Sequence, residues 1–390
     1  MVDRSRSFPL RGLTVALCAL ILFLIIGLLQ FSQTEAEEAR PLADQEFERL
    51  SLELSEEPGY FDTDNLISNE ISYQQVLPRL KEITRTGQVY LGVGPDQNFT
   101  YIVQVRPATA IIIDLRRDNL LQHLYFKQVI EASKDRWQYL SLLFGKESPQ
   151  DFRPDPSADV NRLVQHFRSL TSDRDLFEKN FLEAWSSIRK RFPRLTREED
   201  RDIFHAIAAA FYNDNLQLRF RSHGRRPRPQ YPTYEQLMTQ TDGSGEMRNY
   251  LNSENDFQFL RKMQLENRIV PVIGDLAGQK AMRDVGEYLK KQGSVVAAFY
   301  VSNVEFYLFG DGRFPLFIEN LKHLPVDESS VLIRSVFNHW QRHSETLPGY
   351  YVTTLMQRID GLLELHQERP NRDYWDVVTK DYIPSRTRPR

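Results

Sequence analysis

Apolar residues follow three kinds of pattern along this chain: one long uncharged run, several short runs that end in glycine or an acid, and long stretches at helical spacing. The short runs read as buried strands. They are Gln88-Val-Tyr-Leu-Gly-Val-Gly94, Thr109-Ala-Ile-Ile-Ile-Asp114, Arg268-Ile-Val-Pro-Val-Ile-Gly-Asp275, Ser294-Val-Val-Ala-Ala-Phe-Tyr-Val301, Val331-Leu-Ile-Arg-Ser-Val336 and Tyr350-Tyr-Val-Thr-Thr-Leu355. Continuous rather than alternating apolar character marks strands covered on both faces, as in parallel sheets. A short helix fits between the first two, within residues 99–107, and another at about 279–291. Residues 120–218 repeat apolar positions at helical spacing almost throughout, and Asp64 or Asn65 is placed to cap a helix through Ile71, Val76 and Leu80. The pattern predicts an α/β fold. Its core is a doubly wound, mostly parallel sheet of five to seven strands, carrying a large helical insertion.

Residues 13–29 contain no charge over seventeen positions. At the helical rise they span roughly 26 Å, close to a hydrocarbon core of about 30 Å, which predicts one N-terminal transmembrane helix. Arg4, Arg6 and Arg11 precede the run, while residues 34–70 hold twelve acids against Arg40 and Arg49. The positive-inside rule then leaves the N-terminus in the cytoplasm and the folded domain outside, in a bacterial periplasm or cell envelope. A cleaved signal peptide is the alternative. Thr34-Glu-Ala36 is a poor cleavage site and Leu17 before Cys18 lacks the small residue that lipid attachment expects, so the uncleaved anchor is favoured.

The organisation that follows is a cytoplasmic tail (1–12), the anchor (13–31), an acidic, solvated and partly helical tether (32–57) and a first part of the α/β domain (58–119). A helical insertion (120–267) with an Arg-rich loop, a second part of the α/β domain (268–365) and a C-terminal tail (366–390) complete it. The sole cysteine, Cys18, lies in the anchor, so the folded part has no disulfide or thiolate chemistry. A net charge of −3 with 26% charged residues does not point to nucleic acid as a partner. Five arginines at 219, 221, 225, 226 and 228 form either a solvated loop or a contact for an anionic small molecule or lipid headgroup.

Candidate chemistry gathers at the strand ends. Gly92 and Gly94 close the first strand, and Asp114 closes the second. In a doubly wound sheet these ends open into one crevice, where glycine lets a ligand approach backbone and a carboxylate receives ribose hydroxyls. The bland alternative is a tight turn and a surface acid. Gln97 stands where a dinucleotide fold has its third glycine, which disfavours a pyrophosphate turn. His123 and His205 sit in apolar helices and read as core residues; no metal-ligand spacing, HExxH or nucleophile elbow occurs.

These residues in this order resemble S-adenosylmethionine-dependent methyltransferases. That family has a glycine loop after the first strand, a ribose-binding acid after the second and a Gly-Asp-type segment beside adenine after the third, matched here by Gly92 and Gly94, Asp114, and Gly274-Asp275. The chain also resembles an uncharacterised group of bacterial methyltransferase-like proteins that carry FDTDNL, LGVGPDQNFTY and VPVIGD together. The resemblance implies S-adenosylmethionine as cofactor, bound by Gly92, Gly94, Asp114 and Asp275, and it places the reaction centre in Ser302-Asn-Val-Glu-Phe-Tyr307. Polar residues crowd the same mouth: Asp96 joins the cofactor candidates, Asn303, Glu305 and Tyr307 are the catalytic candidates, and Glu305 or Asp275 serves as a general base if burial raises its pKa. The function it implies is methyl transfer to a small or lipid-linked acceptor, with a noncatalytic binding module of the same fold as the alternative.

Overall fold

The computed structural model describes residues 40–224, 228–338 and 341–385. The apolar run at 13–29 and the tail before it lie outside the described residues, as do Arg225 and Arg226 of the Arg-rich loop. Among the described residues no helix is long and apolar enough to cross a membrane.

Residues 40–57, the described part of the segment expected to be a solvated and partly helical tether, are helical in part but pack into the core. Helix α1 (Asp44–Leu54) places Phe47, Leu50 and Leu54 on one buried face. The helix and the residues after it also finish an edge of the sheet. Ser51 Oγ donates to the Pro271 carbonyl at 2.5 Å, the Glu56 amide donates to Ile273 O at 3.0 Å, and Ser55 Oγ accepts from the Ile273 amide at 2.9 Å. Proline lacks an amide, so it is tolerated at such an edge, and covering the remaining groups closes it to other strands.

The helix expected from Asp64 or Asn65 does not form over that length. Residues 61–76 run as turns, and only α2 (Leu77–Ile83) is helical, with Pro78 in its first turn. Asn65 adopts φ +47°, which is incompatible with helix, and the segment is drawn over the sheet by contacts described below.

Next come β1 (Val89–Gly92), α3 (Gln97–Val105) and β2 (Thr109–Asp114). The insertion supplies α4 (Arg117–Ala132), α5 (Arg136–Phe144), α6 (Val160–Ser169), α7 (Arg174–Arg191), α8 (Asp200–Asp214), α9 (Tyr234–Met238) and α10 (Glu254–Leu265). Several starts are legible as caps: Asp135, Asp159, Asp173 and Ser253 each accept an amide of the first turn, and Thr233 with Gln236 forms a full capping box. Then follow β3 (Ile269–Ile273), α11 (Ala281–Lys291), β4 (Val296–Ser302), α12 (Val304–Gly310), α13 (Phe314–Leu321), β5 (Val331–Phe337) and β6 (Val352–Arg358). The chain closes with α14 (Ile359–Glu368), α15 (Tyr374–Thr379) and β7 (Tyr382–Ile383). The stretch expected to be a C-terminal tail therefore adds a helix and a short edge strand.

The seven strands form one sheet in the order β3-β2-β1-β4-β5-β6-β7. Strands β1 to β5 are mutually parallel, while β6 runs antiparallel to β5 and β7 antiparallel to β6. From β1 the chain builds outward through β2 and β3, then crosses back to β4 on the other side. The strand order thus reverses between β1 and β4, and at such a point two adjacent loops leave the sheet in opposite directions and open a crevice.

Candidate functional site

The crevice is occupied by a cleft of about 180 Å³ at the carboxyl ends of β1 to β4. Gly94, Asp114, Gly274, Asp275, Ser302, Asn303 and Tyr307 line it, and residues 61–69 pass over it. Ile113, Leu115, Leu276 and Leu308 add apolar walls.

Gly94 sits at φ +80°, which a side chain would strain, and a Cβ there would lie 3.2 Å from Asn65 Nδ2. Its carbonyl is fixed from behind by His123, whose Nε2 lies 2.8 Å away. Burial drives the His123 pKa down to about 4, so the ring is neutral and its Nε2 carries the proton donated to that carbonyl. Gly92 has another purpose. It does not line the cleft, and a Cβ on it would come within 2.0 Å of Asn98 Oδ1. Asn98 is wholly buried there, accepting from Tyr90 Oη at 2.8 Å and donating to the Val93 and Pro95 carbonyls at 2.9 and 2.7 Å.

Asp114 lies at the tip of β2, in a two-point pair with Arg116: Nε to Oδ1 at 3.1 Å and Nη2 to Oδ2 at 3.2 Å. The same guanidinium donates through Nη1 to the carbonyls of Thr63 and Asp64, both at 3.0 Å. One arginine thereby joins the acid to the segment covering the cleft. Asp275 makes the parallel arrangement after β3, with Arg313 Nη2 2.6 Å from its Oδ2 and the Ala277 amide on its Oδ1. Gly274 before it is demanded by packing, since a Cβ would meet that of Ala281 at 2.4 Å.

Two expected site residues turn inward. Asp96, read as a cofactor ligand, is buried and accepts from Tyr234 Oη at 2.7 Å and Tyr250 Oη at 3.1 Å, away from the cleft. Burial raises its pKa to about 6 against the pull of those two hydroxyls. Glu305, read as a general base, is 1% exposed and lies 2.7 Å from the equally buried Arg334 of β5. Desolvation lifts its pKa while Arg334 opposes the rise, and the pair locks α12 onto β5. Residues 303 and 307 are four apart and share one side of the helical turn, whereas 305 projects from the opposite side. Asn303 and Tyr307 do line the cleft, with the Tyr307 ring edge-on to Phe61 at 4.9 Å.

Glu70 was not among the residues expected at the site. It is buried and accepts hydroxyl hydrogen bonds from Tyr300, Ser302 and Ser335, the last at 2.6 Å, with no arginine or lysine of the described residues among its partners. Desolvation raises its pKa. Ser302, which lines the cleft, holds the left-handed conformation at φ +54°. The available signal was a lone acid between Ile67 and Ile71, in a segment whose apolar residues were assigned to a helix.

Asn69, Asn303 and Tyr307 are shared with a second, larger cleft of about 950 Å³ beside the tips of β4 and β5. Among the described residues no group of His, Cys, Asp and Glu is placed to hold a metal ion. The structure is that of an α/β protein with a mostly parallel seven-stranded sheet and its crevice where the strand order reverses. The chain belongs to the family described as Domain of unknown function (DUF7790), which it matches over residues 65–153 and 168–382. No curated protein matches its sequence.

Proposed function

We propose that the protein binds an adenosyl nucleoside, S-adenosylmethionine, in the first cleft, that it is anchored to a membrane, and that it transfers a methyl group to an acceptor held next to that cleft. The observation that carries this reading is the charge of the lining. Asp114, Asp275 and Asp311 stand against Arg116 and Arg313, and both arginines are paired with aspartates. Among the described residues a ligand with pyrophosphate would find no uncommitted cation there, whereas a sulfonium suits a net negative lining. The absent third glycine at Gln97 argues the same way against a dinucleotide.

The residues present fit such a ligand in a doubly wound fold. Asp114 Oδ2 accepts one hydrogen bond from Arg116 and keeps a lone pair for a ribose hydroxyl. Ile113, Leu115 and Leu276 offer an apolar slot for a base, and at Gly94 only Asn65 of the covering segment stands between backbone and ligand. When bound, the cofactor supplies an electrophilic methyl group. Asn303 and Tyr307, between the two clefts, are the residues that orient an acceptor toward it.

Calorimetric titration of the full chain with S-adenosylmethionine, S-adenosylhomocysteine and NAD tests the reading. Binding of the first two and not of NAD is expected; tighter binding of NAD, or of none, overturns it. A binding module without catalysis is the second reading, favoured by the inward turn of Glu305, and it expects cofactor binding with no transfer to any acceptor. The basic flank before residue 13 favours an exported domain, although S-adenosylmethionine is made in the cytosol. A reporter fused after Arg390 that is active only in the cytosol would reverse that topology and remove the conflict.

A further inference from the structure

The second cleft differs from the first in chemistry as well as size. Tyr231, Phe306, Tyr307, Phe337, Tyr374 and Trp375 line it. Their rings meet at steep angles: Phe306 stands at 84° to Tyr307 and 76° to Tyr374, with centroids 5.6 Å apart in each pair. Such a lining offers both faces and edges, the arrangement in which an added ring gains quadrupole contacts that an aliphatic ring of similar area does not. Phe306 is half exposed, so one wall is open for a ligand to cover.

The end that meets the first cleft is polar. Asn69 and Asn303 stand there, and Ser302 lies beside them in the smaller cleft. Ser302 donates its hydroxyl proton to Glu70. A hydroxyl whose proton is committed has only lone pairs left, so a ligand group meeting Ser302 must itself donate. Behind it the wholly buried Ser335 donates to the same Glu70, whose hydrogen-bond partners among the described residues include no cation.

We propose that the second cleft binds an aromatic ring bearing a hydroxyl or amino group, with the ring among Phe306, Tyr307 and Tyr374 and the donating group directed to the Asn69, Asn303 and Ser302 end. This names the acceptor class for the transfer inferred above and rests on that reading for the word acceptor; the binding itself does not depend on it. The polar end is the one nearest the first cleft, so the group that donates the hydrogen bond is also the group that a donor in the first cleft would reach.

Ligand-observed NMR titration of the full chain with phenol, aniline, anisole, cyclohexanol and tetramethylammonium tests this. Phenol and aniline are expected to bind saturably and at least about tenfold more tightly than anisole, which has the ring without the donor, and than cyclohexanol, which has the donor without the ring. Phe306→Ala, at a half-exposed position, is expected to weaken phenol several-fold and leave nucleoside binding in the first cleft unchanged. Ser302→Ala is expected to abolish the preference for phenol over anisole. Equal binding of phenol and cyclohexanol, or strongest binding of tetramethylammonium, overturns the proposal. If phenol binds as expected while S-adenosylmethionine does not, the reading of the first cleft fails and this one stands.

Discussion

The turns after β1 and β4 flank the same crevice and spend their polar residues in opposite ways. After β1 two of the three polar side chains turn inward: Asp96 and Asn98 are buried in hydrogen-bond networks, and the cleft receives backbone at Gly94 with Pro95 and Gln97 beside it. After β4, Ser302, Asn303 and Tyr307 face the cleft, and Glu305 alone turns away to Arg334. One turn is a rigid backbone cradle and the other a bearer of functional groups. The difference teaches that a polar residue beside a crevice is not thereby part of it, because its direction is set by helical phase and by what packs behind.

The comparison is most severely tested at Glu305. Glu305→Ala leaves Arg334 buried with Gln357 and Val377 but no counter-charge, and should cost about 3–5 kcal/mol in denaturant unfolding. Loss of activity with unchanged stability would instead return Glu305 to a chemical role.

Asp96 gives a second test through pH. Its folded pKa of about 6 lies above the unfolded value near 3.9, so the stability it contributes is complete below about pH 3.9 and is lost as pH rises through 6. Asp96→Asn removes that dependence. The stability difference between wild type and variant should therefore move by about 3 kcal/mol in the variant's favour from acid to neutral pH, measured by denaturation at several pH values. A constant difference would show that the carboxyl is not buried as described.

A smaller structural effect and a larger functional one are expected at Asp114. Asp114→Ala leaves Arg116 with two carbonyl acceptors, so the stability loss should be about 1–2 kcal/mol, while nucleoside affinity falls more than tenfold in calorimetry. Unchanged affinity would move the ligand elsewhere. The least effect belongs to the Arg-rich loop: Arg221, 65% exposed and paired with Asp214, should change stability by no more than about 0.5 kcal/mol on replacement by alanine.

The central strands were legible because burial on both faces leaves continuous apolar runs, and the runs at 109–114 and 331–336 fall on β2 and β5 with at most one residue's difference. The burial of one element and the existence of another were hidden for different reasons. In α1, Phe47, Leu50 and Leu54 stand at helical spacing, but Asp44, Glu46, Glu48 and Glu53 among them gave the segment the composition of a tether. Glu48 is in fact buried, accepting the Arg194 amide at 2.5 Å. Strand β7 has two residues, too few for any periodicity. At the site, the strand ends located the cleft, but the inward turn of Asp96 and Glu305 depends on Tyr234, Tyr250 and Arg334, remote in sequence. Nor does any local pattern bring Glu70 under Ser302 and Ser335.

Arg116 has a consequence for the energetics of ligand entry. Its guanidinium ties Asp114 to the Thr63 and Asp64 carbonyls, and Asn65 just beyond them stands over Gly94. A ligand that reaches the Gly94 backbone must displace Asn65, and one that draws Asp114 toward itself loosens the arginine holding that segment down. The free energy of lifting the segment is thus subtracted from every affinity measured at this cleft. A variant whose segment is already lifted would bind the same ligand more tightly, by the inverse of the fraction of molecules open before the ligand arrives.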